Sequence, residues 1–274
     1  MIDFGRNRFI RLASSHRPQP AAPTPPGSDH RSVPHTTSKG AVVTADRLTK
    51  SLLAAGCVAA PLTGLVAAVA APALSTSAGT ELTEIGRHSD RYYVYALFIL
   101  LSSYLLVPAV FGIGALIRSR APRWAVVSTA VAQAGLLVAI GDAAVEVMYW
   151  QMGRVPAGHE VMTSLSTRYD SAFGSSIIYS VGGVATMLGV ALLAVGLWRT
   201  RATARWVSVV LVFATIGNFV GFSSGSQPIL VASYLLLAAA LMPIAIALLD
   251  DQRVPVSPVA PSPAATTVGS TLSY

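Results

Sequence analysis

The stretch WAVVSTAVAQAGLLVAIGDAAVEVMYW, residues 124–150, decides the fold class of this chain. It is longer than the ~20 residues that an α-helix needs to cross about 30 Å of hydrocarbon. Its charged residues are Asp142 and Glu146 alone, and a tryptophan stands at each end, as expected at the two faces of a bilayer. The stretch therefore predicts a membrane-spanning helix.

Five further stretches are apolar and contain no Asp, Glu, Lys or Arg. The whole chain is 53% hydrophobic and 11% charged, whereas an ordinary soluble domain has roughly 25% charged residues. We therefore expect an all-α fold, a polytopic six-helix transmembrane bundle over residues 51–249. The predicted spans are 51–73, 92–117, 124–150, 176–198, 206–222 and 228–249.

The two ends of the chain have a different composition. Residues 1–50 and 250–274 are rich in Pro, Ser and Thr, and such segments bury too little apolar surface to offset the entropy of ordering. Both are predicted to be disordered tails. The tails and the loops on their side hold 15 Lys and Arg residues against 4 in the other loops, so both termini are predicted to be cytoplasmic.

The two acids of the third span lie on one side of a helical wheel. Ser128, Gly135 and Ala139 share that side within about 40°, which predicts that Asp142 and Glu146 face the interior of the bundle. At 1.5 Å per residue, Asp142 is about 27 Å and Glu146 about 33 Å from Trp124. Both are therefore expected near the outer boundary of the membrane.

Two like charges one helical turn apart repel each other and call for a compensating group. An ion-pair cluster with the outer-loop residues Arg91, Arg154 and Arg168 is the favoured interpretation. A proton, cation or substrate site that opens to the outside is the alternative, and an ordinary hydrated interfacial face is a third. Tyr179 and Ser180, at a similar depth in the fourth span, complete the candidate site.

Other polar residues of the spans predict helix contacts. Gln133 and Asn218 lie nearest the middle of the membrane, where we expect hydrogen bonds between helices. A small-residue stripe predicts close packing of the fourth span; its members are Ser175, Tyr179, Gly182, Thr186, Gly189 and Gly196. In the outer loops, residues 80–85 and 159–170 have the spacing of short amphipathic helices.

Several functional classes are disfavoured by what the sequence lacks. The five histidines lie in the N-terminal tail and the outer loops, so no metal site and no cofactor is predicted. There is no phosphate-binding glycine loop with its lysine and no nucleophile elbow. The formal charge of +7 comes from short runs between apolar segments, which does not predict binding to nucleic acid.

Two groups of residues carry a resemblance to known proteins. They are Arg91-Tyr-Tyr-Val-Tyr with Leu-Val-Pro108-Ala-Val-Phe-Gly-Ile-Gly and Arg123-Trp124, and Asp142-Ala-Ala-Val-Glu146 with Trp150-Gln151. Through these two groups of residues, the segment 55–200 resembles a group of uncharacterised multi-span integral membrane proteins of high-GC bacteria, of the domain-of-unknown-function type. The resemblance implies six spans and an acidic pair late in the third, and it implies no activity.

These features predict a protein of the bacterial cytoplasmic membrane, and 17 Arg against 2 Lys fits a high-GC genome. We expect a non-catalytic binding, sensory or partner-assembly protein, embedded in the lipid bilayer, that assembles with a protein partner or with further copies of itself. A small secondary transporter or ion pathway that uses the acidic pair is the alternative.

Overall fold

The computed structural model describes residues 38–72, 78–155 and 158–250, without the side chains of residues 38–45, 78–79, 170, 175–176 and 178–179. The described chain forms eight α-helices and contains no strand. In chain order they are α1 (Ser38–Ala70), α2 (Ala78–Arg87), α3 (Ser89–Arg118), α4 (Pro122–Gly153), α5 (His159–Ser171), α6 (Phe173–Thr200), α7 (Arg205–Ser224) and α8 (Gln227–Asp250).

Six of these helices are long and apolar enough to cross a membrane. The spans are Asp46–Ala70, Ser89–Arg118, Pro122–Gly153, Ser180–Thr200, Arg205–Ser224 and Gln227–Asp250. The chain is therefore an all-α, multi-pass membrane protein. The second to sixth predicted spans each lie within one of the observed helices.

The first helix differs from its prediction at both ends. It begins at Ser38, inside the segment predicted to be a tail, and it ends at Ala70, before the predicted end of the span at residue 73. The remainder of the predicted N-terminal tail, residues 1–37, and residues 251–274 lie outside the described residues.

The bundle has two ends, which we name by their residues. At the tyrosine end, α1, α4 and α7 end and α3, α6 and α8 begin, and Tyr92, Tyr93 and Tyr149 lie there. At the arginine end, α3 and α6 end and α4 and α7 begin, around Arg118, Arg120, Arg123, Arg199, Arg201 and Arg205. The two short helices, α2 and α5, belong to the tyrosine end.

Side chains at the arginine end join the α3–α4 turn to the α6–α7 turn. The guanidinium of Arg120 donates a hydrogen bond to the carbonyl of Thr200, at the end of α6. The indole N–H of Trp124 donates to the Leu192 carbonyl over 2.8 Å, and Arg199 lies over the Trp124 ring. The Arg120 bond satisfies a carbonyl that the end of α6 leaves without a partner, and the two Trp124 contacts hold α4 against α6.

The α7–α8 turn is short because a glycine ends α7. Gly225 has φ 63°, in the left-handed region, and its N–H bonds to the carbonyls of Gly221 and Phe222. A residue without a Cβ adopts this conformation at little cost, and glycine is common at helix ends for that reason. The chain then enters α8 at Gln227.

Small residues bring α4 and α6 into close contact. A Cβ at Gly135 would overlap the backbone of Thr186, and a Cβ at Gly189 would overlap the backbone of Ala132. The predicted packing role of the small-residue stripe on the fourth span is thus confirmed. Such contacts are the usual means by which helices associate in lipid.

A buried cluster at the tyrosine end holds α2 against the bundle. Leu82 and Ile85 are 2% and 0% exposed and pack with Tyr92, Tyr149 and Met152 of α3 and α4. The remaining side chains of α2 include Glu81, Thr83, Glu84 and Arg87, which gives the helix one apolar and one polar face. The predicted amphipathic helix at residues 80–85 is confirmed, and α5 lies where residues 159–170 predicted one.

Candidate functional site

Glu146 lies at the centre of the tyrosine end, half-buried between α3 and α4. The hydroxyl of Tyr92 donates a hydrogen bond to Glu146 Oε2, and the hydroxyl of Tyr95 donates to Oε1 over 3.4 Å. The two tyrosine rings pack edge to face, with centroids 5.4 Å apart. Within the described ranges, Glu146 is therefore held by two hydroxyl donors and by no Lys or Arg.

Asp142 lies one turn away from Glu146 but in different surroundings. Its side chain is exposed, whereas Ala143, next along α4, is 4% exposed. The buried line of α4 therefore passes through Ala143 and Glu146, and Asp142 lies at its edge. The expectation that both acids face the interior differs from the structure at Asp142, because the 40° offset between residues four apart is enough to leave one of them on the exposed side of α4.

Arg91 is positioned by the end of α1 and not by the acids. Its guanidinium donates hydrogen bonds to the carbonyls of Val69, Ala70 and Ala71 over 3.1, 2.9 and 3.0 Å. A cation at a helix C-terminus is favourable because the last carbonyls carry partial negative charge. In the described chain, Arg91 thus serves as a cap for α1.

A second side chain completes this cap. The amide of Gln227, the first residue of α8, donates to the carbonyls of Ala68 and Val69 over 3.2 and 3.0 Å. Four consecutive carbonyls at the end of α1 therefore receive donors from α3 and α8. This matters near a bilayer, where a carbonyl without a partner is costly.

Arg154 is fixed by an aromatic group. Its guanidinium lies 4.8 Å from the centroid of the Trp150 ring, which is a favourable cation–π distance. The indole N–H of Trp150 donates to Ser89 Oγ over 3.0 Å, and Tyr93 packs against the same ring at 4.5 Å. The Trp150 group thus ties the end of α4 to the start of α3.

The other predicted site residues are not brought to Glu146 by any described contact. Arg168 is exposed on α5, and Ser180 is exposed on α6. Tyr179 lies in α6, but its side chain falls outside the described residues. The ion-pair interpretation therefore has no support from Arg91 or Arg168, and the site built from these residues remains a prediction.

A concave surface lies at the tyrosine end between α2 and α5, and we call it the α2–α5 groove. Its first part has a volume of about 660 Å³ and adjoins the ends of α3 and α4; its second part has a volume of about 770 Å³. Thr83, Arg87 and His159 line both parts. Ser89, Asp90 and Arg154 line the first part, and Glu84, Glu160 and Ser164 line the second.

The walls of the α2–α5 groove are fixed by backbone and side-chain contacts. A Cβ at Gly86 would lie 2.9 Å from the Gly153 carbonyl oxygen, so α2 crosses the end of α4 in direct backbone contact. Thr83 Oγ1 and His159 Nε2 are 3.3 Å apart, which joins α2 to α5. Arg87 is bonded to Glu84 of its own helix over 2.8 Å. The groove is therefore lined mainly by polar side chains, and contacts between α2, α4 and α5 fix its walls.

The two polar residues predicted near mid-membrane both lie at helix contacts. Gln133 Nε2 donates to the Val107 carbonyl over 2.9 Å, which links α4 to α3. Asn218 and Ser102 lie within side-chain hydrogen-bonding reach of Tyr234, and Ser102 Oγ donates to the Ala60 carbonyl over 2.8 Å. This second group joins α1, α3, α7 and α8, and no pattern in the sequence indicates that Tyr234 belongs to it.

The fold and this site define a class, a multi-pass membrane protein with a polar groove and a half-buried carboxylate at one end of its bundle. Among the described residues, no group of three or more His, Cys, Asp and Glu side chains is placed to hold a metal ion. Comparisons with protein-family models, curated proteins and solved structures found no match to this chain. The resemblance to multi-span proteins of high-GC bacteria therefore stays a prediction.

Proposed function

We propose that this chain is a non-catalytic, membrane-embedded binding protein whose ligand or partner occupies the α2–α5 groove. The observation that carries this proposal is the groove itself, which polar side chains line between α5 and α2, and α2 is held to the bundle by the buried Leu82 and Ile85. Ligand sites in proteins typically have volumes of 300–1,000 Å³ and a few convergent polar groups. Under the predicted orientation, the groove faces the outside of the cytoplasmic membrane.

A photo-reactive amino acid at Thr83 tests this proposal in cells. Thr83 is exposed and lines the groove, whereas Thr167 is an exposed threonine of α5 that does not line it. We expect a discrete covalent adduct from the Thr83 position and none above background from Thr167, with both variants inserted to the same level. Equal labelling at the two positions would end the proposal that the groove is a binding site.

A small secondary transporter is the second candidate, and the half-buried Glu146 carboxylate favours it. Intramembrane carboxylates often mark proton or ion pathways, and Asp142 provides an exposed acid one turn away. Flux into proteoliposomes, with and without a pH gradient, distinguishes the candidates. Loss of flux in Glu146→Gln and Asp142→Asn supports transport; equal behaviour of wild type and the folded double variant contradicts it.

A further inference from the structure

Two opposite charges face the first part of the α2–α5 groove without being paired to each other. Asp90 and Arg154 both line this cavity. Within the described residues, no salt bridge joins them, and the recorded contact of Arg154 is with the Trp150 ring. A guanidinium and a carboxylate that share a cavity beyond ion-pair distance suit a ligand that carries both signs of charge.

The position of the cavity narrows the class of ligand. Trp150 and Tyr93 stack beside it at the start of α3 and the end of α4, and such aromatic pairs lie at the level of lipid headgroups. Arg154 rests on that same Trp150 ring. By this rule we expect the guanidinium at the height where the phosphate of a phospholipid lies.

Taking these contacts together, and resting on the proposed binding function, we infer that the first part of the groove binds a phosphoethanolamine group. The phosphate accepts hydrogen bonds from Arg154 and from those N–H groups of Arg87 that do not bond to Glu84, because guanidinium groups match phosphate oxygens in pairs. The ammonium donates to the Asp90 carboxylate. A membrane lipid and a soluble phosphate ester are both sources of this group.

The amine of the ligand distinguishes ethanolamine lipids from choline lipids. A primary ammonium donates hydrogen bonds to a carboxylate, whereas the trimethylammonium of choline has no N–H to donate. A hydrogen bond between charged groups changes affinity by about tenfold or more. Phosphatidylethanolamine should therefore bind more tightly than phosphatidylcholine, although the two lipids have the same net charge.

Isothermal titration of the purified full chain in detergent tests this inference, with dihexanoyl phosphatidylethanolamine, dihexanoyl phosphatidylcholine and O-phosphoethanolamine as probes. We expect about tenfold tighter binding of the ethanolamine lipid than of the choline lipid. Asp90→Asn should remove that preference, and Arg154→Gln should weaken both lipids about tenfold. Arg168→Gln, on the exposed surface of α5, is the matched control and should change neither.

Equal affinities of the wild-type chain for the two lipids would overturn the inference, and this comparison requires no variant. An unchanged preference in Asp90→Asn would do the same. If O-phosphoethanolamine binds as tightly as the lipid, the source is soluble; if it binds much more weakly, the source is the bilayer, and either result supports the inference. A discrete adduct at Thr83 with another ligand would leave the proposed binding function standing while this inference fails.

Discussion

Replacement of Arg91 by alanine removes the donor that caps the end of α1. Three hydrogen bonds are lost, of which those to Val69 and Ala70 are exposed and that to Ala71 is partly buried. Water replaces the two exposed bonds, so most of the loss comes from the partly buried bond to Ala71. A charged donor contributes about 1.5–3 kcal/mol to such a bond. We expect a loss of about 2 kcal/mol in the free energy of unfolding.

For a domain of this size, that loss corresponds to a decrease in Tm of about 4–8 °C. Thermal unfolding in detergent, followed by the fluorescence of a thiol dye at the buried Cys57, measures it. Arg168→Ala is the control because it removes an exposed arginine of the same end. A Tm for Arg91→Ala within 1 °C of the control would refute the capping role.

A double-mutant cycle separates capping from ion pairing with the acids. If Arg91 acts on α1 alone, its effect should be the same in the wild type and in a Glu146→Gln background, because independent sites add. If Arg91 instead compensates Glu146, the effect of Arg91→Ala should shrink in that background. A coupling above about 0.5 kcal/mol would favour the ion-pair interpretation.

Three further substitutions, and Gly141→Ala as a control, test the helix contacts by the same thermal assay. Gly135→Ala should cost about 1–3 kcal/mol because the new methyl group overlaps Thr186, whereas Gly141→Ala, which meets nothing within 4 Å, should be neutral or stabilising; equal Tm values would contradict this. Tyr92→Phe should cost about 1–3 kcal/mol because the Glu146 carboxyl loses a donor, and an unchanged Tm would refute it. Gln133→Leu should cost only about 0.6 kcal/mol, so a large loss would show a further role for this amide.

The spans could be predicted from the sequence because insertion in a bilayer depends on length and hydrophobicity along one helix. Each stretch from 92–117 to 228–249 lies within a single observed helix. The start of α1 could not be predicted in this way, because residues 38–50 are polar and hydropathy gives no signal for a helix that extends beyond the hydrocarbon. Helix ends outside the membrane depend on local capping and not on hydrophobicity.

The difference in exposure between Asp142 and Glu146 could not be predicted from the sequence, because it depends on the positions of the neighbouring helices. A helical wheel gives the direction of a side chain within about 40°, and that margin separates the exposed Asp142 from the half-buried Glu146. Arg91 was expected to reach the acids because it lies in the same outer region. Its preference for the end of α1 arises from the position of three carbonyls, which no feature of the local sequence describes.

The tyrosine partners of Glu146 leave a signal in the sequence. Tyr92 and Tyr95 are three residues apart at the start of a span, so they share a helix face at the depth expected for Glu146. The α2–α5 groove could not be found from the sequence, because it depends on the contact of Gly86 with Gly153. Contacts between segments that are distant in the chain determine both the tyrosine–Glu146 hydrogen bonds and the groove.

The double cap on α1 also sets an order for biosynthesis. Arg91 follows α1 closely in the chain, but Gln227 belongs to the last helix, as does Tyr234, whose ring lies against Gly64 of α1. As the chain leaves the ribosome, the first helix therefore acquires its full set of partners only when the final one has been inserted. Completion of the contacts of α1 is therefore a late event that requires the C-terminal helix.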